Sequence, residues 1–371
     1  MRRDFSGGRV EVVHVRVPFR QPIQTSAGTW THRDSWIVRL FDGPSAFGVG
    51  EAALDGAAGA EGEAEMRRMA LEVAATVGWE FHLAYGTDPD PAAAVRRAWG
   101  CAVGSALVDL GIGSPPGPPA TSVAVNATIG FGGPDAMAAA AAAAVARGFE
   151  TLKLKAGPEI DTADLVRRVA AVRQAAGSDV RLRIDVNGAW DAATAVERLN
   201  ALAPFEPEFV EQPVASGDAS VLAAVRGASP VPIALDESVR SVAAARELLA
   251  AGAADVLVVK PSRVGGPMEA WEIAAMAADA GVPVVVSTLF ETGIGLAAAS
   301  VIAATLPRVR HRPHELAHGL ATADLLESDL FADTPEISGG RLAVPAGSGW
   351  GAALDEAALR RYAVEWLGEQ Q

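Results

Sequence analysis

Three acids, Asp185, Glu211 and Asp236, each end a short apolar run, and they stand 26 and 25 residues apart. That interval is the length of one β/α unit, roughly 25–30 residues, so equal spacing gathers the three carboxylates around one point. Left alone they would repel and be costly to bury. A hard dication removes the conflict, and an oxygen-only set with open positions favours Mg²⁺ over zinc. Lysines flank the acids. Thr151-Leu152-Lys153-Leu154-Lys155 alternates polar and apolar, which puts Lys153 and Lys155 on one strand face. Lys260 ends the run one unit beyond Asp236. A partly desolvated lysine near other cations has its neutral form favoured and can serve as a base. A metal here would hold a substrate carboxylate and stabilise the charge left by proton loss from the adjacent carbon. The reaction class implied is proton abstraction α to a carboxylate through an enediolate. Singly, the lysine pair reads as a solvated edge strand and each acid as a helix cap. Coincidence is a poor account of all of these positions falling in register.

The elements that must carry these residues can be read along the chain. Residues 9–51 alternate as two antiparallel strands, 10–17 and 35–40, joined by a long polar loop that includes Thr25, Ser26 and Trp30. Long loops of this kind are often functional. Residues 61–110 turn helical, which makes an α+β unit of residues 1–115. Four prolines within residues 114–119 break it. From 120 to 336, strands and helices alternate strictly: 123–128, 152–155, 181–185, 209–211, 233–236, 256–260, 284–287, and a weaker eighth strand near 309–313. Eight units over about two hundred residues predict a TIM-type (β/α) barrel, with its chemistry at the C-terminal strand ends. No GxGxxG follows the first strand, which argues against a dinucleotide fold. Residues 337–371 read as strand and then helix (354–367), returning to the first unit. The fold class is therefore α/β, a barrel with an α+β capping domain built from both ends of the chain.

The composition fits a globular enzyme: 371 residues, 50% hydrophobic, 20% charged, with a net charge of −14. That acidity argues against nucleic acid, which needs clustered basic residues. The one cysteine, Cys101, excludes an internal disulfide and reads as a buried small hydrophobe. No apolar leader or membrane-length run is visible, so the expectation is a cytoplasmic protein without a membrane partner. Homo-oligomerisation stays open.

Other signals are weaker. His314-Glu315-Leu316-Ala317-His318 matches the HExxH pattern of zinc metalloproteases. Gly319 would end the helix that motif needs, and no third ligand is placed, so it reads as chance. Gly48-Val-Gly-Glu51 reads as a turn closing the first hairpin rather than a phosphate loop. Trp36, Trp99 and Trp190 read as packing residues, whereas Trp30 lies in the polar loop. Arg183 shares a face with Asp185 and either neutralises the barrel interior or touches substrate.

Lys153-Leu-Lys155, Asp185-Val-Asn-Gly-Ala-Trp190, Glu211-Gln-Pro213, Asp236-Glu-Ser238 and Lys260-Pro-Ser-Arg-Val-Gly-Gly266 together resemble the enolase superfamily, in its muconate lactonizing subgroup, over essentially the whole chain. A lysine base with an Mg²⁺-stabilised enediolate is a general property of that superfamily, not something deduced from this chain. The resemblance implies Mg²⁺ on Asp185, Glu211 and Asp236, Lys155 as base, Lys153 in electrostatic support, and Lys260 across a small-molecule carboxylate substrate. Within the subgroup, Val284-Val-Val-Ser-Thr-Leu-Phe-Glu-Thr-Gly-Ile-Gly-Leu296 and His318-Gly-Leu-Ala-Thr322 are most similar to o-succinylbenzoate synthases, which dehydrate a cyclohexadiene carboxylate in menaquinone biosynthesis. N-succinylamino acid racemase, dipeptide epimerase and muconate cycloisomerase are the alternatives. The acidic eighth-strand motif usual in the epimerases is not seen at 311–315. Substrate contacts expected on the same footing are Thr25, Ser26, Trp30, Asn187, Thr288, Phe290 and Glu291.

Overall fold

The computed structural model describes residues 8–25, 28–43, 46–54, 59–75, 91–157, 161–215, 217–309, 314–351 and 353–368. An antiparallel sheet in the order β14-β1-β2-β3 forms the cap, from β1 (Arg9–Thr25), β2 (Gly28–Asp42), β3 (Ala46–Ala52) and β14 (Ala363–Leu367). Its faces alternate as a two-sided buried sheet demands. Val10, Val12, Trp36, Val38 and Leu40 pack on helices α1 (Gly59–Ala74) and α2 (Pro91–Asp109). Val13, Val15, Val17 and Ile37 join the large core shared with the barrel.

Two expectations change here. The polar stretch between the first strands is not a loop, because β1 and β2 continue along it, pairing Ile23 with Trp30 and Thr25 with Gly28. Gly48-Val-Gly-Glu51 is not a turn but part of β3, paired along β2. Its glycines allow close helix approach. A Cβ at Gly48 would stand 2.0 Å from the Ala106 carbonyl oxygen, and one at Gly50 1.9 Å from that of Ala102.

After β4 (Ser122–Ala124), seven parallel strands follow in the spatial order of the sequence: β5 (Ala127–Ile129), β6 (Thr151–Lys155), β7 (Arg181–Asp185), β8 (Phe209–Glu211), β9 (Ile233–Leu235), β10 (Val256–Val259) and β11 (Val284–Val286). Most are short apolar runs, as strands covered on both faces require, while β6 and β7 alternate charged with apolar residues because one face of each carries the ionic groups of the barrel interior. The helices between them are α3 (Pro134–Ala146), α4 (Thr162–Ala176), α5 (Ala192–Leu202), α6 (Ala219–Ala228), α7 (Val242–Ala250), α8 (Pro261–Val264) and α9 (Pro267–Asp279). Asp161, Asp191, Asp218 and Ser241 cap α4 to α7 through side-chain acceptors.

The eighth position is also corrected. Residues 310–313, most of the expected strand, lie outside the described residues, and the seam is closed further on. His318 bridges Val125, and Gly319 bridges Ser287, both in parallel sense. The run after α10 (Gly293–Ala304) therefore joins β11 back to the first strand with two residues and almost no apolar signal. In the tail, β12 (Ile337–Ser338) and β13 (Arg341–Ala343) pair onto β4 rather than onto the cap. The stretch 354–367, expected to be helical, is α11 (Glu356–Tyr362) followed by β14, which runs along β1. Among the described residues no helix is long and apolar enough to cross a membrane.

Candidate active site at the barrel mouth

Strand register explains why the acids meet. Lys155 is paired with Asp185, Asp185 with Glu211, and Glu211 with Ala234, two residues before Asp236. Residues two apart on a strand share a face, so all four side chains enter the barrel from its C-terminal end. The carboxylates are 1–2% exposed.

The lysines reach into this row. Lys153 Nζ lies 2.9 Å from Asp185 Oδ2 and 2.6 Å from Glu211 Oε1. Lys155 Nζ donates to Asp185 Oδ2 at 2.7 Å and to Asn187 Oδ1 at 3.0 Å. From the opposite side Lys260 Nζ donates to Asp236 Oδ2 at 2.7 Å, and Arg263 grips the other oxygen. The structure thus brings together Lys153, Lys155, Asp185, Asn187, Glu211, Asp236 and Lys260. Arg263 is an addition: it follows Lys260 by three residues, one helical turn, which was the signal available in the sequence.

The electrostatics divide the acids. Burial disfavours the Asp185 carboxylate, but Lys153 and Lys155 together hold its pKa well below the usual range. Glu211 meets one ammonium and two acids, so burial with Asp185 and Asp236 beside it pushes its carboxyl up to about 7. Burial likewise works against Asp236, and Arg263 and Lys260 outweigh it and lower its pKa. Lys153 shows the reverse of a base: burial would lower it, yet Asp185, Glu211 and Asp236 raise it far above its ordinary value.

Glu237 adds a fourth acid. Asn187 Nδ2 donates to its Oε1 at 2.9 Å, while its Oε2 is buried with no hydrogen bond. Among the described residues no three His, Cys, Asp or Glu groups close into a ready cage, because the ammonium groups stand between the acids. The donor set nevertheless suits a hard dication: carboxylate oxygens only, mutually repelling, with one oxygen orphaned.

Backbone strain gathers at the same mouth. Among the described non-glycine residues with positive φ, Asn187 (51°), Gln212 (41°) and Phe290 (64°) follow β7, β8 and β11. Such conformations cost on the order of 1–3 kcal/mol each and persist where surroundings enforce them. Gln212 shows how: its Oε1 accepts from the Asp236 and Ser238 amides, and its Nε2 donates to Ser238 Oγ and to the Val214 carbonyl. This buried amide, present in the Glu211-Gln-Pro213 motif but given no role there, ties the end of β8 to the end of β9.

The expected substrate contacts are more scattered. The Thr25 side chain and all of Ser26 lie outside the described residues. Trp30 packs edge-on against Phe290, with ring centroids 6.0 Å apart, so the cap hairpin meets the β11 loop. Thr288 is buried, its hydroxyl 3.3 Å from that of Thr322. Glu291 is drawn into the joint between cap and barrel, accepting from Ser262 Oγ at 2.7 Å and from the Leu289 amide.

The weaker signals resolve as structure. His314 is exposed on Glu208 at 3.2 Å, Glu315 accepts from Arg341, and His318 Nδ1 accepts from the Val286 amide at 3.0 Å. No helix carries them, so HExxH here is no zinc site. Arg183 neutralises the interior, donating to Glu208, Asn126 and the Ala317 carbonyl. Cys101 is buried, its thiol pushed up to about 12 by burial and by Glu291.

Comparison with known proteins identifies the family of the chain. A family described as Enolase C-terminal domain-like matches residues 136–358. An o-succinylbenzoate synthase from Thermobifida fusca is 43% identical over 219 residues, 59% of this chain and 65% of that protein, a little under two thirds of its length. The L-Ala-D/L-Glu epimerase of Bacillus subtilis is 30% identical over 362 residues, 92% of this chain and 95% of the relative. A crystal structure of a dipeptide epimerase from Cytophaga hutchinsonii, complexed with Mg and the dipeptide D-Ala-L-Val, superposes with a TM-score of 0.82 at 25% identity, covering 97% of this chain and 98% of that one. With the family match spanning more than half its length, the chain belongs to the Enolase C-terminal domain-like family, that is, to the enolase superfamily.

Proposed function

We propose that this protein removes the proton α to a substrate carboxylate with Mg²⁺ at Asp185, Glu211 and Asp236, and that its reaction is the dehydration of 2-succinyl-6-hydroxy-2,4-cyclohexadiene-1-carboxylate to o-succinylbenzoate. The observation that carries the reaction class is the placement of Lys155 and Lys260 on opposite sides of three buried carboxylates. When bound, Mg²⁺ supplies positive charge to the substrate carboxylate as negative charge develops there. Lys155, oriented by Asn187 Oδ1, takes the α-proton on Nζ and hands it to the departing 6-hydroxyl, so that the ring C–O bond breaks, the C–H electron pair becomes the new ring double bond and the hydroxyl leaves as water. Lys153, held protonated, keeps the mouth cationic on that side. Lys260 faces the substrate from the other wall, steadied through Asp236 and Arg263. Trp30 of the cap hairpin and Phe290 of the loop after β11, which meet edge to face, are assigned to the substrate side of the site.

Support for the synthase within the class is the 43% identity to the Thermobifida protein. The epimerase reading has its own support, because the 30% match to the Bacillus epimerase runs over 92% of this chain. One assay separates them. With Mg²⁺ and the cyclohexadiene substrate, appearance of an aromatic ultraviolet band is expected. Racemisation of L-Ala-Glu or of an N-acylamino acid, with no aromatic product from the cyclohexadiene, would replace the synthase by an epimerase or racemase.

A further inference from the structure

One buried carboxylate outside the lysine cluster joins the cap to the barrel. Glu51, on β3, is 2% exposed. It accepts from Ser35 Oγ at 2.6 Å within the cap. Across the joint it accepts from Thr292 Oγ1 at 2.7 Å, from the Thr292 amide at 3.1 Å and from the Gly295 amide at 3.1 Å. Each of these hydrogen-bond partners is a donor, which suits an ionised carboxylate even though burial, with Glu291 nearby, raises its pKa.

The helix it meets has given up its own cap. Thr292 is the N-cap residue of α10, yet its side chain makes no capping bond and donates to Glu51 instead. The first turn is cleared for incoming carboxylates. A Cβ on Gly293 would stand 2.7 Å from Asp329 Oδ1, and one on Gly295 2.5 Å from the Glu291 Cβ and 3.2 Å from Glu51 Oε2. The orphan amides of the α10 N-terminus are therefore satisfied in part from another part of the fold.

What Glu51 holds is the loop after β11. Residues 288–291 lie directly before Thr292, and they include the strained Phe290 that meets Trp30 of the cap hairpin. Glu291 in the same loop accepts from Ser262, two residues beyond Lys260. We infer that Glu51 is a positioning residue: by clamping Thr292 and Gly295 it fixes the β11 loop, so that Phe290 and Trp30 close over the substrate while the lysines and carboxylates stay where the barrel puts them. This rests on the proposed reaction site being at the barrel mouth.

The test compares Glu51→Gln, Thr292→Val and Thr292→Ser with the wild type in the intact chain, using whichever carboxylate substrate the wild type turns over. Gln keeps the shape but turns an amide donor toward donors, and Val removes only the Thr292 hydroxyl. In Glu51→Gln and Thr292→Val, KM is expected to rise about tenfold with kcat within about threefold, as loss of substrate positioning dictates. The Mg²⁺ half-saturation should be unchanged, and Thr292→Ser should restore KM. Amide hydrogen exchange over residues 288–296 should quicken in the same two variants, a readout that needs no substrate. Should Glu51→Gln fail to fold, Thr292→Val and Thr292→Ser carry the test. Wild-type KM and exchange in a folded Thr292→Val would overturn the inference, as would a loss of kcat alone. Failure of the wild type to turn over any α-protonated carboxylate would count instead against the proposed function.

Discussion

Two ionic layers lie two residues apart inside the same barrel, and they behave oppositely. Arg183 and Asp185 share one face of β7, and each is 1% exposed. Arg183 belongs to a charge-paired layer: Glu208 answers its charge at 2.6 Å, Asn126 and the Ala317 carbonyl take further hydrogens, Phe209 stacks over its plane, and Nη2 alone is left without a hydrogen bond. Asp185 belongs to an unresolved layer, where four acids and four cations crowd and Glu211 is pushed up to about 7. The lesson is that burial of charge does not by itself mark a reactive site. The mark is like charges forced together when a well-paired arrangement was available one layer below.

Lys155→Ala should lower kcat by about 10³-fold or more while leaving the urea midpoint near that of the wild type, as steady-state kinetics and denaturation would show. A loss of stability without loss of turnover would make the mouth another structural layer. Next in size, Arg183→Leu removes the main partner of Glu208, leaving it His314 and the more distant Arg181, and should cost about 3 kcal/mol of stability, read by urea unfolding. Divalent-ion affinity in the folded fraction should not change.

A smaller effect lies beside Arg183. His318 is buried, and burial with Arg183 nearby lowers its pKa from 6.5 to about 4. The neutral ring accepts from the Val286 amide, so the folded state binds fewer protons than the unfolded one. Its contribution is whole above about pH 6.5, wanes below that, and is gone once pH has fallen through about 4. Between pH 7.5 and pH 5 the wild type should lose about 2 kcal/mol more than His318→Asn does, measured by urea unfolding at both pH values.

The same contrast explains what could be read from the sequence. Regular spacing disclosed the seven parallel strands: some are apolar throughout because both faces are covered, as Val256–Val259 is, and β6 and β7 show as period-two alternation around the charged interior. The acids were legible because register converts a 25-residue interval into adjacency. The closing segment was not legible, since His318 and Gly319 complete the seam through backbone bonds without an apolar run. The hairpin arms around Trp30 escaped for a related reason: Gln24 and Thr29 are paired but exposed, so no period-two apolar pattern marks them. Gly48 and Gly50 imitate a turn while serving close packing. Glu51 acts through Thr292, 241 residues away in sequence, which no local pattern reveals, whereas Arg263 was marked by its place one helical turn after Lys260.

The central claim, that the strained layer is a divalent-ion site, is tested most directly by equilibrium binding of Mn²⁺ as a paramagnetic stand-in for Mg²⁺, followed by electron paramagnetic resonance without substrate. Wild-type protein should bind a single stoichiometric ion, competed by Mg²⁺, and Glu211→Gln should bind it at least about tenfold more weakly. Equal affinity in Glu211→Gln, or no stoichiometric binding by the wild type, would contradict the account.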